Sequence, residues 1–199
     1  MEPWSVILQQ YKQEPYPLKE DFGFVALPTQ ELQHFFVQAE EFLSGKKYWL
    51  SMGSGDGRVE NIAARIYHKE VTAIELSQEL ITIAETKTAQ IIQAIKNPKG
   101  RIQFVHGNYV PVALRKERIP PHFNFLHGKD PYRKIKFSSF DLVYSYPWPS
   151  QIETVLECFR TCAKKEALLL LYGKYDFDAK EYGLRELKRW DKGIILEKN

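Results

Sequence analysis

The chain is 199 residues long with a formal net charge of +3, the length of one ordinary domain or of one domain with an appended arm. Hydrophobic residues make up 44% and charged residues 27%, the balance of a globular protein and not of a disordered chain, a fibrous repeat or a membrane protein. The longest purely apolar run, 167–171, is far short of the ~20 residues that span a bilayer. No basic region precedes an apolar stretch at the N-terminus, so no secretory signal is expected and the expected location is cytoplasmic.

In chain order, the first helix is expected from Thr29, taken as its N-cap, with Leu32, Phe35, Phe36, Ala39, Phe42 and Leu43 as its apolar stripe and Gly45 as its end. A buried strand, 48–52, runs straight into Gly53-Ser54-Gly55-Asp56-Gly57-Arg58. Helical spacing follows at Val59, Ile62, Ala63, Ile66 and Tyr67. A second strand, 71–74, ends at Glu75. Ser77 then caps a long helix carrying Leu80, Ile83, Ala84, Ile91, Ile92 and Ile95, which Asn97-Pro98-Lys99-Gly100 stops. The third strand, 102–105, is closed by Gly107-Asn108-Tyr109. A fourth, 140–144, leads into Ser145-Tyr146-Pro147-Trp148-Pro149. A helix from about Gln151 to Lys164 and a fifth strand, 167–172, come next, and two short strands near 184–190 and 193–197 close the chain.

Strands alternating with helices give an α/β fold: a single doubly wound, mostly parallel, Rossmann-like sheet with helices on both faces and a short antiparallel C-terminal hairpin. One domain over 1–199 is expected, with an N-terminal arm and helix over 1–45 and an insertion over 109–139. Ligands of such sheets bind beyond the carboxyl ends of the strands, where the glycine loop, Glu75, Asn108 and the 145–149 turn all lie.

Cys158 and Cys162 are four apart on an expected helix and share one face. They read as core thiols, and no structural metal is expected. Between Ala113 and Phe137, Arg115, Lys116, Arg118, Lys129, Arg133, Lys134 and Lys136 outnumber Glu117 and Asp130, a surplus of five positive charges interleaved with His122, Phe123, Phe125, His127, Tyr132 and Phe137. That pattern suits a nucleic acid or an acidic protein face, and equally a solvated insertion.

Three glycines on alternate positions after a strand let the backbone turn tightly and approach a ligand with no Cβ in the way. The dinucleotide pattern G-x-G-x-x-G would need glycine where Arg58 stands, and a phosphate-loop lysine is absent. What remains is G-x-G-x-G followed, eighteen residues after Gly57, by the acid Glu75, a carboxylate able to accept both hydroxyls of a ribose. The bland alternative is a strand-to-helix turn, with Asp56 favouring the helix N-terminus.

The runs Trp49–Ile66, Ala73–Glu85 and Ile102–Tyr109 resemble the three cofactor motifs of class I S-adenosylmethionine-dependent methyltransferases. With Leu27-Pro28-Thr29 upstream, the Gly-Ser-Gly-Asp-Gly-Arg loop is most similar to the protein-lysine methyltransferase-like branch. The resemblance implies that Gly53, Ser54, Gly55, Asp56 and Gly57 line the cofactor and that Glu75, with Leu76 beside it, grips the ribose. It places Asn108, with Tyr109, at the adenine and Thr29 near the methionine end. Two positions depart from the family: Ser51 stands where an acid is usual, and Asn108 where aspartate is usual.

Ser145-Tyr146-Pro147-Trp148 partly resembles the [Asp/Asn/Ser]-Pro-Pro-aromatic turn of amino-group methyltransferases. The resemblance implies that Ser145 and the Tyr146 carbonyl accept hydrogen bonds from the acceptor amine and that Trp148 packs against it; the alternative is a rigid structural turn. The implied activity is methyl transfer from S-adenosylmethionine to an amine, a protein lysine ahead of a nucleic-acid amino group, with a small-molecule acceptor open. A non-catalytic relative of the fold is the alternative from a different class.

Overall fold

The computed structural model describes residues 2–12, 16, 24–115 and 128–199. Its strands are β1 (Tyr48–Met52), β2 (Glu70–Glu75), β3 (Arg101–His106), β4 (Leu142–Ser145), β5 (Leu168–Tyr172), β6 (Leu184–Trp190) and β7 (Gly193–Lys198). They form one seven-stranded sheet in the order β3-β2-β1-β4-β5-β7-β6. The first five are parallel; β7 runs antiparallel to β5 and to β6. The expected fold class is therefore observed, down to the terminal hairpin.

Burial explains the strand composition. All five residues of β5, Leu-Leu-Leu-Leu-Tyr, are buried, as a central strand covered on both faces requires. Alternation splits the core in two. Trp49, Val71, Tyr144, Leu170 and Tyr172 face one layer, packed under α1 (Pro3–Gln10), α2 (Thr29–Leu43) and α3 (Arg58–Arg65). Leu50, Met52, Val143, Leu169 and Leu171 face the other, under α5 (Ile152–Cys162).

Several elements differ from expectation. Thr29 is the first residue of α2 and not its cap; Pro28 precedes it and no side chain caps the helix, because the fixed φ of Pro28 already sets the chain's entry. Helix α1 was not anticipated. Its Val6 and Ile7 are buried, and it packs on α3 and α4 (Gln78–Ala94). In α4 the buried stripe is Leu80, Ile81, Ala84, Thr88 and Ile91, while Ile92 faces solvent. The Ser77 hydroxyl does cap α4, accepting from Leu80 N at 3.3 Å. Strand β4 starts at Leu142, not at position 140, since the Asp141 carboxylate is held by the amides of Lys47 and Tyr48 at 2.9 and 2.8 Å. Cys158 is buried, Cys162 half-buried, and both are free thiols. Of the basic insertion, residues 116–127 lie outside the described residues. Its flanks pack at the end of β3: Asn108 N donates to Lys129 O at 2.9 Å and Tyr132 OH to Tyr109 O at 2.8 Å. Among the described residues no helix is long and apolar enough to cross a membrane.

Candidate functional site

Strand order reverses between β1 and β4, whose ends meet where Met52 pairs with Ser145. Loops leaving these two strands diverge to opposite faces and open a crevice. The glycine loop leaves β1 there. Gly53, Gly55 and Gly57 hold φ of +83°, +55° and +80°, the left-handed region that β-carbon sterics disfavour. Gly53 N and Ser54 N both donate to Ile74 O at 3.0 Å, which bends the loop over the end of β2.

Glu75 secures it from the other side. Its Oε2 accepts from Gly55 N at 2.8 Å, and its Oε1 from Leu76 N and Ser77 N at 2.8 and 2.9 Å. Burial nevertheless raises its pKa, with these backbone bonds and His106 opposing. Tyr109 lies against Gly53, its ring 3.7 Å from where a Cβ would project, and its hydroxyl donates to Gln151 Oε1 at 3.1 Å. Asn108 Oδ1 accepts from Val110 N at 2.8 Å, so part of its accepting capacity serves its own turn. Gly53 to Gly57, Glu75, Leu76 and Tyr109 are thus brought together, with Asn108 at the adjoining end of β3.

Asp56 is turned inward. Its Oδ2 takes Arg58 Nη2 at 2.6 Å and the Tyr16 hydroxyl at 2.6 Å. Burial pushes its carboxyl up to about 6, still ionised at neutral pH beside the guanidinium. Arg58 also donates through Nη1 to Leu27 O and stacks over Tyr11 at 5.2 Å. That bond ties the segment carrying Thr29 to the glycine loop. The Phe24 ring occupies the space a Gly55 Cβ would need.

Sequence reasoning did not single out Glu60. It is 1% exposed, and the Ser51 hydroxyl donates to its Oε1 at 2.5 Å. So beside Ser51 on β1, a carboxylate arrives from α3. Burial, with Asp56 and Glu75 nearby, pushes it up to about 8. Two buried polar atoms beside the loop, Ser54 Oγ and Glu60 Oε2, have no hydrogen-bond partner among the described residues.

Beyond β4 lies a cavity of about 250 Å³ lined by Val25, Tyr146, Trp148, Lys174 and Tyr175 among others. Tyr146 and Trp148 expose their rings, at 36% and 45%. Tyr146 packs edge-on against Tyr172 at 4.8 Å; Tyr172 donates to Glu31, which also takes Lys192 at 2.6 Å and is held below the usual carboxylate range by it. Tyr175 OH donates to Pro147 O at 2.7 Å and fixes the turn. Ser145 is elsewhere: its buried hydroxyl donates to Met52 O at 3.1 Å, bracing β4 on β1. Val25, Lys174 and Tyr175 were not foreseen, because they come from the arm and from the segment after β5.

No protein-family model matches the sequence, and no curated protein matches it. Solved structures do match the fold. An RNA methyltransferase from Salinibacter ruber, in complex with S-adenosyl-L-homocysteine, aligns with a TM-score of 0.57 and 16% identity over 87% of this chain and 92% of its own. A methyltransferase from Pyrococcus furiosus gives 0.58 and 16% over 94% and 88%. The ribosomal protein L11 methylase from Lactobacillus delbrueckii subsp. bulgaricus gives 0.54 and 16% over 96% and 92%. The chain has the fold of these methyltransferases. Within this methyltransferase fold the glycine loop and the aromatic cavity occupy the same carboxyl edge of the sheet, on either side of the switch between β1 and β4.

Proposed function

We propose that the chain is an S-adenosylmethionine-dependent methyltransferase acting on an amine, folded over 1–199 as one methyltransferase-like unit. The observation that carries this reading is the pairing of a Glu75-braced glycine loop with an aromatic-lined cavity across one switch point. The residues present fit the cofactor. Glu75 uses three of a carboxylate's roughly four lone-pair sites on backbone amides, which leaves Oε2 an acceptor position for a ribose hydroxyl. Ser54 Oγ and Glu60 Oε2 are buried without partners in the protein, a costly arrangement unless a ligand supplies them. The bare glycine backbone at Gly53 and Gly55 offers close approach, and Tyr109 beside Gly53 offers an apolar face.

Bound S-adenosylmethionine would supply a sulfonium-activated methyl group. The protein's tasks are then to position a nucleophile in line with it and to exclude water. Tyr146 and Trp148 form the packing wall for the acceptor, and the turn is rigid because Tyr175 holds the Pro147 carbonyl. Ser145 acts by bracing this turn on β1 through Met52. Leu76 and Asn108 flank the adenine end, and Thr29 the methionine end. Asp56 serves by fixing Arg58 and hence the arm.

A protein lysine is the first reading for the acceptor, from the likeness of the loop; aromatic rings suit a cationic side chain. A nucleic-acid amino group is the second. It is favoured by the exposed rings of Tyr146 and Trp148 with Lys174 on the same cavity, a platform on which a base can stack. Calorimetric titration with S-adenosylmethionine and S-adenosylhomocysteine, with NAD as control, tests the cofactor. Micromolar binding of the first two and none of NAD is expected, and the absence of both would overturn the reading. Transfer of labelled methyl to basic proteins or to RNA then separates the acceptors.

A further inference from the structure

The protein-lined surroundings of Glu60 contain an imbalance that the loop itself does not relieve. Among the described residues its neighbours are Ser51 on β1, Tyr144 on β4, Tyr11 at the C-terminal end of α1, Asp56 on the glycine loop, Glu75 at the end of β2, and Arg58 two residues before it. Two of these are like charges. Arg58, the one cation among them, directs Nε and Nη2 to Asp56 and Nη1 to Leu27 O. Glu60 therefore receives one hydroxyl hydrogen bond on Oε1 and none on Oε2 among the described residues. A carboxyl so placed can readily ionise only when a cationic donor arrives from outside the chain.

A second orphan stands in the glycine loop that leads into this helix. Ser54 Oγ is buried, a hydroxyl able to donate, and it too has no partner among the described residues. An unpaired acceptor carboxylate and an unpaired donor hydroxyl are together the complement of a zwitterionic α-amino acid, whose ammonium donates and whose carboxylate accepts.

We propose that Glu60 is the residue that binds the α-ammonium group at the amino-acid end of the cofactor, with Ser54 Oγ donating to the adjoining carboxylate. This inference rests on the cofactor reading above. It assigns Ser51 a positioning role: its hydroxyl holds Oε1 and so presents Oε2. The charge that the sequence lacks on β1 is supplied from α3, nine residues along the chain. That burial raises the Glu60 carboxyl agrees with a group whose counter-ion arrives with the ligand.

The test is calorimetric titration of the full chain with S-adenosylhomocysteine and with its deamino analogue, which lacks only the α-ammonium. The wild type should prefer the first by about tenfold to 100-fold, the worth of a hydrogen bond between charged groups. In Glu60→Gln that preference should collapse to near parity while affinity for the deamino analogue is kept, which also certifies the fold. Glu60→Asp, which keeps the charge but withdraws it, should fall between. A wild type indifferent to the ammonium, or a Glu60→Gln protein that retains the full preference, would overturn the assignment and leave the cofactor reading standing. Failure of the wild type to bind either ligand would instead overturn the cofactor reading and this inference with it.

Discussion

Glu60→Gln should make the ligand-free protein increasingly stable relative to the wild type as pH rises. The Glu60 carboxyl is pushed from the ordinary 4.5 to about 8, chiefly by burial. A raised value means the folded state holds the proton more tightly than the unfolded chain does. Below pH 4.5 both states are protonated and the group's contribution is fully present. Between 4.5 and about 8 the unfolded chain releases its proton and the folded state does not, so stability falls by up to about 1.4 kcal/mol per pH unit. Over the whole interval the loss is about 4–5 kcal/mol, and it levels off above pH 8. Glutamine carries no such proton. Its amide, unpaired where Oε2 was, brings a pH-independent offset of about 1–3 kcal/mol that moves the curve but not its slope. Urea denaturation of both proteins at intervals from pH 5 to pH 9 reads the difference directly, and other titrating groups cancel in it. The variant should gain on the wild type steadily through neutral pH. A stability gap that stays constant across that range would refute the claim that Glu60 is an unpaired buried carboxyl in the free protein.

Three further outcomes follow from the site. Gly55→Ala forces a side chain at a φ of +55° into the Phe24 ring; it should destabilise the fold by about 1–3 kcal/mol and abolish S-adenosylhomocysteine binding, and retained affinity would remove the loop from the site. Glu75→Ala leaves the amides of Gly55, Leu76 and Ser77 without their acceptor and should weaken cofactor binding by about 1.5–3 kcal/mol; an unchanged dissociation constant would count against the ribose role. Trp148→Ala, at an exposed wall of the cavity, should lower methyl transfer while leaving cofactor affinity intact, and full activity would make the turn structural only.

Most of the sheet was legible because its signals are local. The Leu168–Leu171 run can only be a doubly covered strand, and the glycines after Met52 can only be a turn, so β5 and the loop followed from composition and backbone sterics. The N-terminal helix escaped because its fully buried residues, Val6 and Ile7, are few and are sorted only by the surface they meet. Ser145 reads identically in sequence whether it faces a cavity or a neighbouring strand. The structure turns its hydroxyl to Met52 O, a choice made by the β1–β4 register and not by residue type. Lys174 and Tyr175 reach the cavity only through the return of the chain after β5.

Glu60 was missed for a deeper reason. Periodicity places it between Val59 and Ile62 on a helix, where a glutamate ordinarily marks the solvated face. Helix α3 has no solvated face: all eight of its residues are buried, Arg58, Glu60, Asn61 and Arg65 included. It is enclosed by α1 and by the strands it crosses, and most of its polar nitrogens find partners within the protein. Asn61 donates to Tyr11 OH, Gly57 O and Thr88 Oγ1, Arg65 to the carbonyls of Lys99 and Gly100, and Arg58 to Asp56 and Leu27. Arg65 Nε and Asn61 Oδ1 have no partner among the described residues, and neither does Oε2 of the one carboxylate of the helix. Glu60 differs in being the acid: Asn61 still reaches acceptors through Nδ2 and Arg65 through Nη1, whereas the Glu60 carboxyl has the Ser51 hydroxyl as its one side-chain partner among the described residues, and a cationic ligand would complete it.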